Sequence, residues 1–162
     1  MTLLLAERDE LTKAYNRRYI MESLQEEKKR ADRTRMPFSI CIFDLDHFKE
    51  INDRYGHITG DRVLVDFVER LRSELRYFDA LERREDDPRF ARYGGEEFIL
   101  LLPHTSLSGA RHCAERIRSI TADARFASRC HITVSVGVAE FRIGESIEST
   151  LRRADGAFGA RA

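Results

Sequence analysis

Two pairs of carboxylates, far apart in the sequence, each follow a feature that ends or reverses a strand. Asp44 and Asp46 close the apolar run FSICIFDLD, while Glu96 and Glu97 come directly after a pair of glycines. Carboxylates with nearby backbone carbonyls form hard oxygen sites that suit Mg²⁺, and Mg²⁺ usually binds together with phosphates. Either pair alone is more often a solvated turn or a cap. Brought together in one fold, Asp44 and Glu96 could hold one or two cations, as a two-metal phosphoryl-transfer site requires.

The glycine pair, Gly94 and Gly95, divides ARYGGEEFILLLP into two short runs and predicts the turn of a β-hairpin. Glycine permits a positive φ in such a turn, and the missing side chains let a phosphate approach the backbone. Many hairpins share this pattern without binding a ligand. The turn therefore indicates a site only if its strand lies beside the strand that ends near Asp44.

The hydrophobic spacing predicts the elements that must bring these residues together. In chain order they are a helix over 16–33 with Asn16 as its N-cap, a strand over 38–45, a helix over 59–75, the glycine hairpin, a helix over 106–120 and a strand within HITVSVGVAEF. This order matches the split βαβ plan of ferredoxin-like folds. We therefore expect an α+β fold whose central, mostly antiparallel sheet is flanked by helices on one or both faces. In such a sheet the hairpin can lie beside the first strand and bring Glu96 to Asp44.

Two segments lie outside this plan. The segment YFDALERREDDPR, residues 77–89, is highly charged and has no sustained period, which predicts an exposed loop leading into the hairpin. The first residues, MTLLLAERDE, are typical of the end of a helix. We therefore expect one domain over residues 1–162, in which residues 1–8 are the remnant of a linker helix from an upstream sensory or regulatory region.

The composition narrows the partners that the chain can have. Its 28 basic residues balance its 28 acidic residues, so no overall positive field favours general binding of nucleic acid. No apolar run approaches the roughly 20 residues that a membrane span requires. The three cysteines lack a CxxC spacing and a secretory leader, which favours a reducing, cytoplasmic location over a disulfide or zinc framework. A polyanionic ligand would therefore need a local site.

Four motifs occur in order along the chain: DELTKAYNRR, FDLDHFKEIND, GHITGD and RYGGEEF. Over roughly residues 9–158 they resemble the GGDEF domain of diguanylate cyclases, with Glu at the third position of the signature. The resemblance implies a sheet like the palm of adenylyl cyclases and many polymerases. It also implies a Mg²⁺-dependent enzyme, with two metal ions per active site and Mn²⁺ as a substitute. Such an enzyme condenses two GTP molecules into cyclic di-GMP and pyrophosphate across a homodimer.

The resemblance also assigns roles to single residues. Asp44, the backbone carbonyl of Leu45 and Glu96 are expected to hold the metal ions, and Glu96 to help deprotonate the attacking 3′-hydroxyl. Lys49 is expected to meet the phosphates and to act as a second catalytic group. The residues expected to bind the substrate are Phe48, Lys49, Asn52, His57, Asp61, Leu64, Gly94 and Gly95.

A carboxylate suits the recognition of guanine, because it accepts hydrogen bonds from the N1 and N2 donors, a pair that adenine lacks. Asp61 is therefore expected to select GTP over ATP together with Asn52. Other interpretations stay open, with His57 as a packed turn histidine, Asn52 as a turn cap and Lys49 as a solvated charge. Two of the expected contacts are more typical of a core or a pocket lining than of chemistry, namely Phe48 and Leu64.

Two features depart from the family pattern. The family's product-inhibition site is an Arg-x-x-Asp, which occurs here as Arg76 to Asp79 and, displaced, as Arg84 to Asp87, with the first match farther from the hairpin than usual. Near the C-terminus, Gly159 stands where the family has Tyr, and the family's Lys and Arg for the terminal phosphates have no convincing counterpart.

The alternatives to an active cyclase are a weakly catalytic module that binds GTP or cyclic di-GMP, and a purely structural dimerisation domain. The intact carboxylates favour the enzyme.

Overall fold

The computed structural model describes residues 7–74 and 87–156. This part of the chain contains five α-helices, α1 (Arg17–Thr34), α2 (Phe48–Tyr55), α3 (His57–Glu74), α4 (Leu107–Asp123) and α5 (Ile147–Gly156). Its four β-strands are β1 (Phe38–Leu45), β2 (Arg89–Arg92), β3 (Glu97–Pro103) and β4 (Val134–Glu140). A short 3₁₀ turn, Ala127–Arg129, precedes β4. Within the described ranges, no helix combines the length and the apolar character needed to cross a membrane.

The four strands form one sheet in the order β2-β3-β1-β4, and every neighbouring pair is antiparallel. β1 is central because it pairs with β3 on one side and with β4 on the other. Along this register, Asp44 lies opposite Glu97 on β3 and opposite Ser135 on β4. The predicted α+β class with a central antiparallel sheet is confirmed, and the hairpin strand β3 is the direct neighbour of the first strand.

Helices cover both faces of the sheet, which explains why β1 is a nearly continuous apolar run. Phe43 and Leu45 share one face and pack with α2, α3 and α4, whereas Ile40 and Ile42 share the other and pack with α1 and α5. All four side chains are at most 4% exposed. Packing on both faces therefore fixes β1 and the carboxylates at its end.

The spacing predicted α1 and β1 closely but missed α2. Asn16 caps α1 as predicted, and its side chain accepts a backbone hydrogen bond from the first turn at 2.9 Å. α2 has eight residues, of which only Phe48 and Ile51 are buried, too few to show a helical period. α3 begins at His57 rather than at residue 59, after Gly56 turns the chain with a φ of 90°. His57 is therefore the first residue of a helix and not part of a turn.

A cluster of phenylalanines joins α3 to the hairpin. The ring centroid of Phe67 on α3 lies 5.1 Å from that of Phe98 on β3, and Phe98 stacks on Phe90 of β2 at 5.2 Å. All three rings are at most 4% exposed. This cluster fixes the hairpin relative to the helix whose first turns carry His57 and Asp61.

We expect Phe67→Ala to lower the free energy of unfolding by about 3–5 kcal/mol, because the substitution removes a buried ring and leaves a cavity. Urea denaturation followed by circular dichroism measures this change. Ile58→Ala is the matched control, since the Ile58 side chain is 88% exposed and its loss should change stability by less than about 0.5 kcal/mol. Equal effects of the two substitutions would contradict the role of Phe67 in the core.

Candidate active site

A cleft of about 450 Å³ opens where β1 ends and α2 begins. The side chains and backbone that line it belong to Asp44, Leu45, Asp46, His47, Phe48, Lys49, Glu96 and Ser135. Three parts of the sequence thus meet at the cleft, namely the turn from β1 to α2, the hairpin turn before β3 and the start of β4. Asp44 and Glu96, which the sequence analysis singled out as metal ligands, lie in the same cleft.

The pairing of β1 with β3 brings the hairpin carboxylates to the end of β1. Asp44 lies directly opposite Glu97, and the N–H of Leu45 donates to the carbonyl of Glu96 at 3.2 Å. Directly opposite residues share a face of the sheet, with Cβ atoms about 5 Å apart. Glu97 is therefore the register partner of Asp44, although it is not among the ligands that the sequence predicts. Glu96 lines the cleft next to Leu45.

Negative charge accumulates around Asp44. Burial raises the pKa of Asp44 to about 6, and the charges of Glu96, Glu97 and two further aspartates add to the effect. Among the residues that line the cleft, the side chains able to carry positive charge are Lys49 and His47, and both are exposed. The excess of negative charge therefore favours a bound cation, which would offset the repulsion.

Arg92 holds the glycine turn that precedes β3. Its Nε and Nη2 donate to the carbonyl of Gly95 at 3.1 and 2.9 Å, and its Nε also reaches the carbonyl of Gly94 at 3.3 Å. Its Nη1 donates to Oδ2 of Asp9 at 3.2 Å, which ties the turn to the segment before α1. Although partial burial opposes the change, hydrogen bonds from Thr12 and Arg92 lower the pKa of Asp9. Both partners lie within the motifs DELTKAYNRR and RYGGEEF, but the sequence alone does not indicate that they pair.

The glycine pair leaves space rather than adopting a left-handed backbone. Neither Gly94 nor Gly95 has a φ in the left-handed region, which among the described glycines is found at Gly56 and Gly144. The positive φ that glycine permits is therefore not adopted at either position. A Cβ at Gly94 would lie 2.7 Å from Oε1 of Glu97, so a side chain here would displace the Glu97 carboxylate.

The residues expected to read guanine lie on α2 and on the first turns of α3, beside the cleft rather than in its lining. Asn52 is half-buried inside α2, where it is not a turn cap, and His57 and Asp61 are exposed on α3. A Cβ at Gly60 would come within 1.8 Å of Oδ1 of Asn52. Gly60 therefore leaves the space that the Asn52 carboxamide occupies, and the two helices hold this side chain between them.

The remaining expected substrate contacts divide between core and surface. Phe48 and Leu64 are 7% and 1% exposed and pack in the core, and Phe48 also lines the cleft. Lys49 is exposed and lines the cleft. Gly94 and Gly95 form the adjoining turn but do not line the cleft.

Most of the expected inhibitory site lies outside the described residues. Arg76, Asp79 and Arg84 fall there, and so does Gly159 of the divergent C-terminal segment. Asp87 is described and lies half-buried two residues before β2. The inhibitory site therefore stays a prediction.

Two hydroxyl groups at the start of β4, on Thr133 and Ser135, contact Asp46, and the sequence did not indicate this contact. The hydroxyls of Thr133 and Ser135 both donate to the carboxylate of Asp46, the first at 2.6 Å to Oδ2 and the second to Oδ1. Because side chains alternate along a strand, residues two apart share a face. The polar positions that alternate with valines in TVSV are the sequence signal for this pair.

The sequence of this chain matches a known protein family. The family profile described as "Diguanylate cyclase, GGDEF domain" matches residues 6–160. The response regulator PleD of Caulobacter vibrioides is 39% identical over 168 residues, which cover 99% of this chain. The chain spans about a third of the length of that curated relative, since the match covers 35% of PleD.

Two solved structures show the same architecture. The coiled coil and GGDEF domain of DgcB from Caulobacter crescentus, in complex with c-di-GMP, has a TM-score of 0.85 at 30% identity and covers 98% of this chain and 82% of its own. The active GGEEF domain of a diguanylate cyclase from Vibrio cholerae has a TM-score of 0.77 at 35% identity, covering 90% of this chain and 88% of its own.

The chain belongs to the GGDEF domain family of diguanylate cyclases, which is a family of enzymes. The resemblance drawn from the four motifs is confirmed. The roles of single residues, the extent of the domain over residues 1–162 and the upstream sensory region stay predictions.

We expect Asp44→Asn to raise the melting temperature at neutral pH when divalent metal is removed with EDTA. Folding raises the pKa of Asp44 from 3.8 to about 6, so the folded state disfavours the charged carboxylate. This penalty is absent below about pH 4, where the carboxyl group is protonated in both states. This destabilisation of the folded state grows as the unfolded form ionises, and it reaches its full size above about pH 6.

Thermal denaturation between roughly pH 3.5 and pH 8 checks this course, and the gain in melting temperature should appear across the same interval. Asp123→Asn, at the exposed end of α4, is the matched control. A gain that is equal at all pH values, or one that is absent throughout, would contradict the electrostatic account of Asp44.

Proposed function

We propose that this domain converts two molecules of GTP into cyclic di-GMP and two molecules of pyrophosphate. Each domain would bind one GTP, and two domains would face each other so that each 3′-oxygen attacks the α-phosphorus of the opposite nucleotide. The observation that carries the proposal is the meeting of Asp44 and Glu96 in one cleft at the start of α2. Carboxylates suited to a cation thus lie beside a helix N-terminus suited to a phosphate.

The donor set of the cleft fits a divalent cation such as Mg²⁺ or Mn²⁺. Asp44 and Glu96 would contribute carboxylate oxygens and Leu45 its backbone carbonyl, and all of these are hard oxygen ligands. The raised pKa of Asp44 supports this assignment, because it reflects burial and repulsion that a cation would relieve. When bound, two such ions would neutralise charge on the phosphoryl oxygens and lower the pKa of the 3′-hydroxyl.

The start of α2 is suited to hold the phosphates. The first N–H groups of a helix have no partner within the helix and carry partial positive charge. His47 is the N-cap of α2 and makes no side-chain capping hydrogen bond, so its side chain does not occupy these groups. Phe48 and Lys49, the first two residues of α2, line the cleft, and the Lys49 side chain is exposed there. Lys49 would add a full positive charge beside the phosphates.

Asn52 and Asp61 would read the guanine base from α2 and α3. The Asp61 carboxylate would accept hydrogen bonds from guanine N1 and N2, and adenine would leave that carboxylate without donors. His57 lies four residues before Asp61, on the same face of α3, and would contact the nucleotide beside it. The fixed place of Asn52 over Gly60 supports its assignment as a base contact.

In the chemical step, Glu96 would accept the proton of the 3′-hydroxyl. The new bond joins the 3′-oxygen to the α-phosphorus of the opposite GTP, and the bond from that phosphorus to pyrophosphate breaks. In a second step of the same kind, the 3′-oxygen of the opposite GTP attacks the α-phosphorus of the first, and the second pyrophosphate leaves. This step closes the ring. The hydrogen bond from Leu45 N–H to the Glu96 carbonyl holds the base close to the predicted metal-binding carbonyl.

Replacing the proposed base tests the chemistry. Glu96→Gln should lower the formation of cyclic di-GMP by at least about 100-fold, because general-base catalysis contributes about 10²–10⁴-fold. Chromatography of reactions with GTP and Mg²⁺ measures the product, and circular dichroism checks the fold. Glu69→Gln, exposed on α3, is the matched control. Near-normal turnover in Glu96→Gln would refute the assignment, and a wild-type protein that binds GTP without turnover would favour a binding module.

Replacing the proposed base contact tests recognition separately. Asp61→Ala should weaken GTP affinity about 10- to 100-fold, since a hydrogen bond to a charged group contributes roughly 1.5–3 kcal/mol. Isothermal titration with GTP measures the affinity, and a titration with Mn²⁺ alone should give the wild-type value. Asp123→Ala provides a control on α4. Unchanged GTP affinity in Asp61→Ala would show that this residue does not read the base.

A further inference from the structure

Asp46 lies next to the predicted metal ligands, but its carboxylate accepts hydrogen bonds from two residues at the start of β4. Ser135 Oγ donates to Oδ1, and Thr133 Oγ1 donates to Oδ2 at 2.6 Å. The N–H of Asp46 also donates to the carbonyl of Thr133 at 2.9 Å. Thr133 and Ser135, called the hydroxyl pair below, flank Val134, which is 2% exposed and anchored in the core. Backbone and side chain of Asp46 are therefore both fixed to one rigid segment.

The turn that follows Asp46 needs such support because of its backbone conformation. His47 has φ 57° and ψ 29°, in the left-handed region that residues with a side chain rarely adopt. Its own side chain is 78% exposed and makes no capping hydrogen bond. The next residue, Phe48, is 7% exposed and anchors the other end of the turn. Hydrogen bonds at one end and burial at the other thus hold this conformation.

The turn borders two cavities. Asp46 and His47 line the active-site cleft and also a second cavity of about 360 Å³. On the sides that face these cavities, Asp46 and His47 are not restrained by packing. The bonds from the hydroxyl pair therefore add a side-chain restraint to the backbone hydrogen bond between Asp46 and Thr133.

We propose that the hydroxyl pair and Asp46 are positioning residues for phosphoryl transfer, and that Asp46 is not itself a metal ligand. By fixing Asp46, the hydroxyl pair would fix the Leu45 carbonyl before it and the first N–H groups of α2 after it. The metal ligand and the phosphate-binding groups would then keep their spacing when substrate enters. This inference rests on the function proposed above for the cleft.

The combined substitution Thr133→Val and Ser135→Ala removes both hydroxyls with little change in volume. Thr133 is exposed and Ser135 half-buried, so we expect the variant to fold. Its kcat should fall about 10- to 100-fold, because a displacement of about 1 Å in a positioned group can cost about 100-fold. Its affinity for Mn²⁺, measured by calorimetry, should stay at the wild-type value. Ser108→Ala, exposed on α4, is the control and should not change kcat.

Two substitutions of Asp46 separate positioning from metal binding. Asn can accept from one hydroxyl and donate to the other, because a hydroxyl both donates and accepts. Asp46→Asn should therefore retain kcat within about threefold, whereas Asp46→Ala should lose as much as the hydroxyl-pair variant. Adding Asp46→Ala to that variant should cause no further loss, because both changes remove the same interaction. An Asp46→Asn protein as inactive as Asp44→Asn, beside an active hydroxyl-pair variant, would overturn the proposal.

Hydrogen exchange tests the same claim without catalysis. Peptides covering residues 46–50 should exchange faster in the hydroxyl-pair variant than in the wild type, with α4 unchanged. If the wild-type protein forms no cyclic di-GMP, the proposed function fails, and the exchange rate alone then decides the positioning role. A wild-type exchange rate for residues 46–50 in the hydroxyl-pair variant would overturn that role.

Discussion

The register between β1 and β3 is the constraint on which the candidate site depends. It places Asp44 opposite Glu97 and puts the N–H of Leu45 on the carbonyl of Glu96. A slip of one residue would turn Asp44 to the other face of the sheet, and the buried side chains on both faces of β1 oppose such a slip. The packed core therefore holds carboxylates together although they repel. Burial and these neighbours raise the pKa of Asp44 to about 6, because both disfavour a charged carboxylate there.

The two turns that reach the cleft are held in a common way. Hydrogen bonds from a neighbouring segment fix each turn. Arg92 connects the glycine turn to Asp9 before α1, and the hydroxyl pair connects Asp46 to the start of β4. The first connection joins the glycine turn to a segment outside the cleft, and the second joins Asp46 to the strand that borders the cleft. The rigid sheet thus sets the distance between the carboxylates, and the hydrogen bonds set the directions of the turns around them.

Local signals in the sequence were sufficient to predict α1 and β1. An Asn16 N-cap and an apolar run typical of a strand buried on both faces can be recognised without tertiary information. The four motifs in order were sufficient for the family. The short helix α2 was missed, since its eight residues bury too few side chains to show a period. The glycine turn was visible in the sequence, but the proximity of Gly94 to the Glu97 carboxylate was not, because it depends on how the turn folds. The pairing of β4 with β1 brings the hydroxyl pair to Asp46. The sequence signal for this contact is only the alternation of polar and apolar residues that is common to many strands.

The central claim is that Asp44 and Glu96 together bind the cation that accompanies the triphosphate. A crystal structure with Mn²⁺ and a non-hydrolysable GTP analogue, with anomalous scattering to locate the metal, tests it most directly. The account predicts Mn²⁺ bound by both carboxylates and by the carbonyl of Leu45, with the phosphates at the first N–H groups of α2. Mn²⁺ bound away from Asp44, or phosphates bound on another surface of the domain, would contradict it.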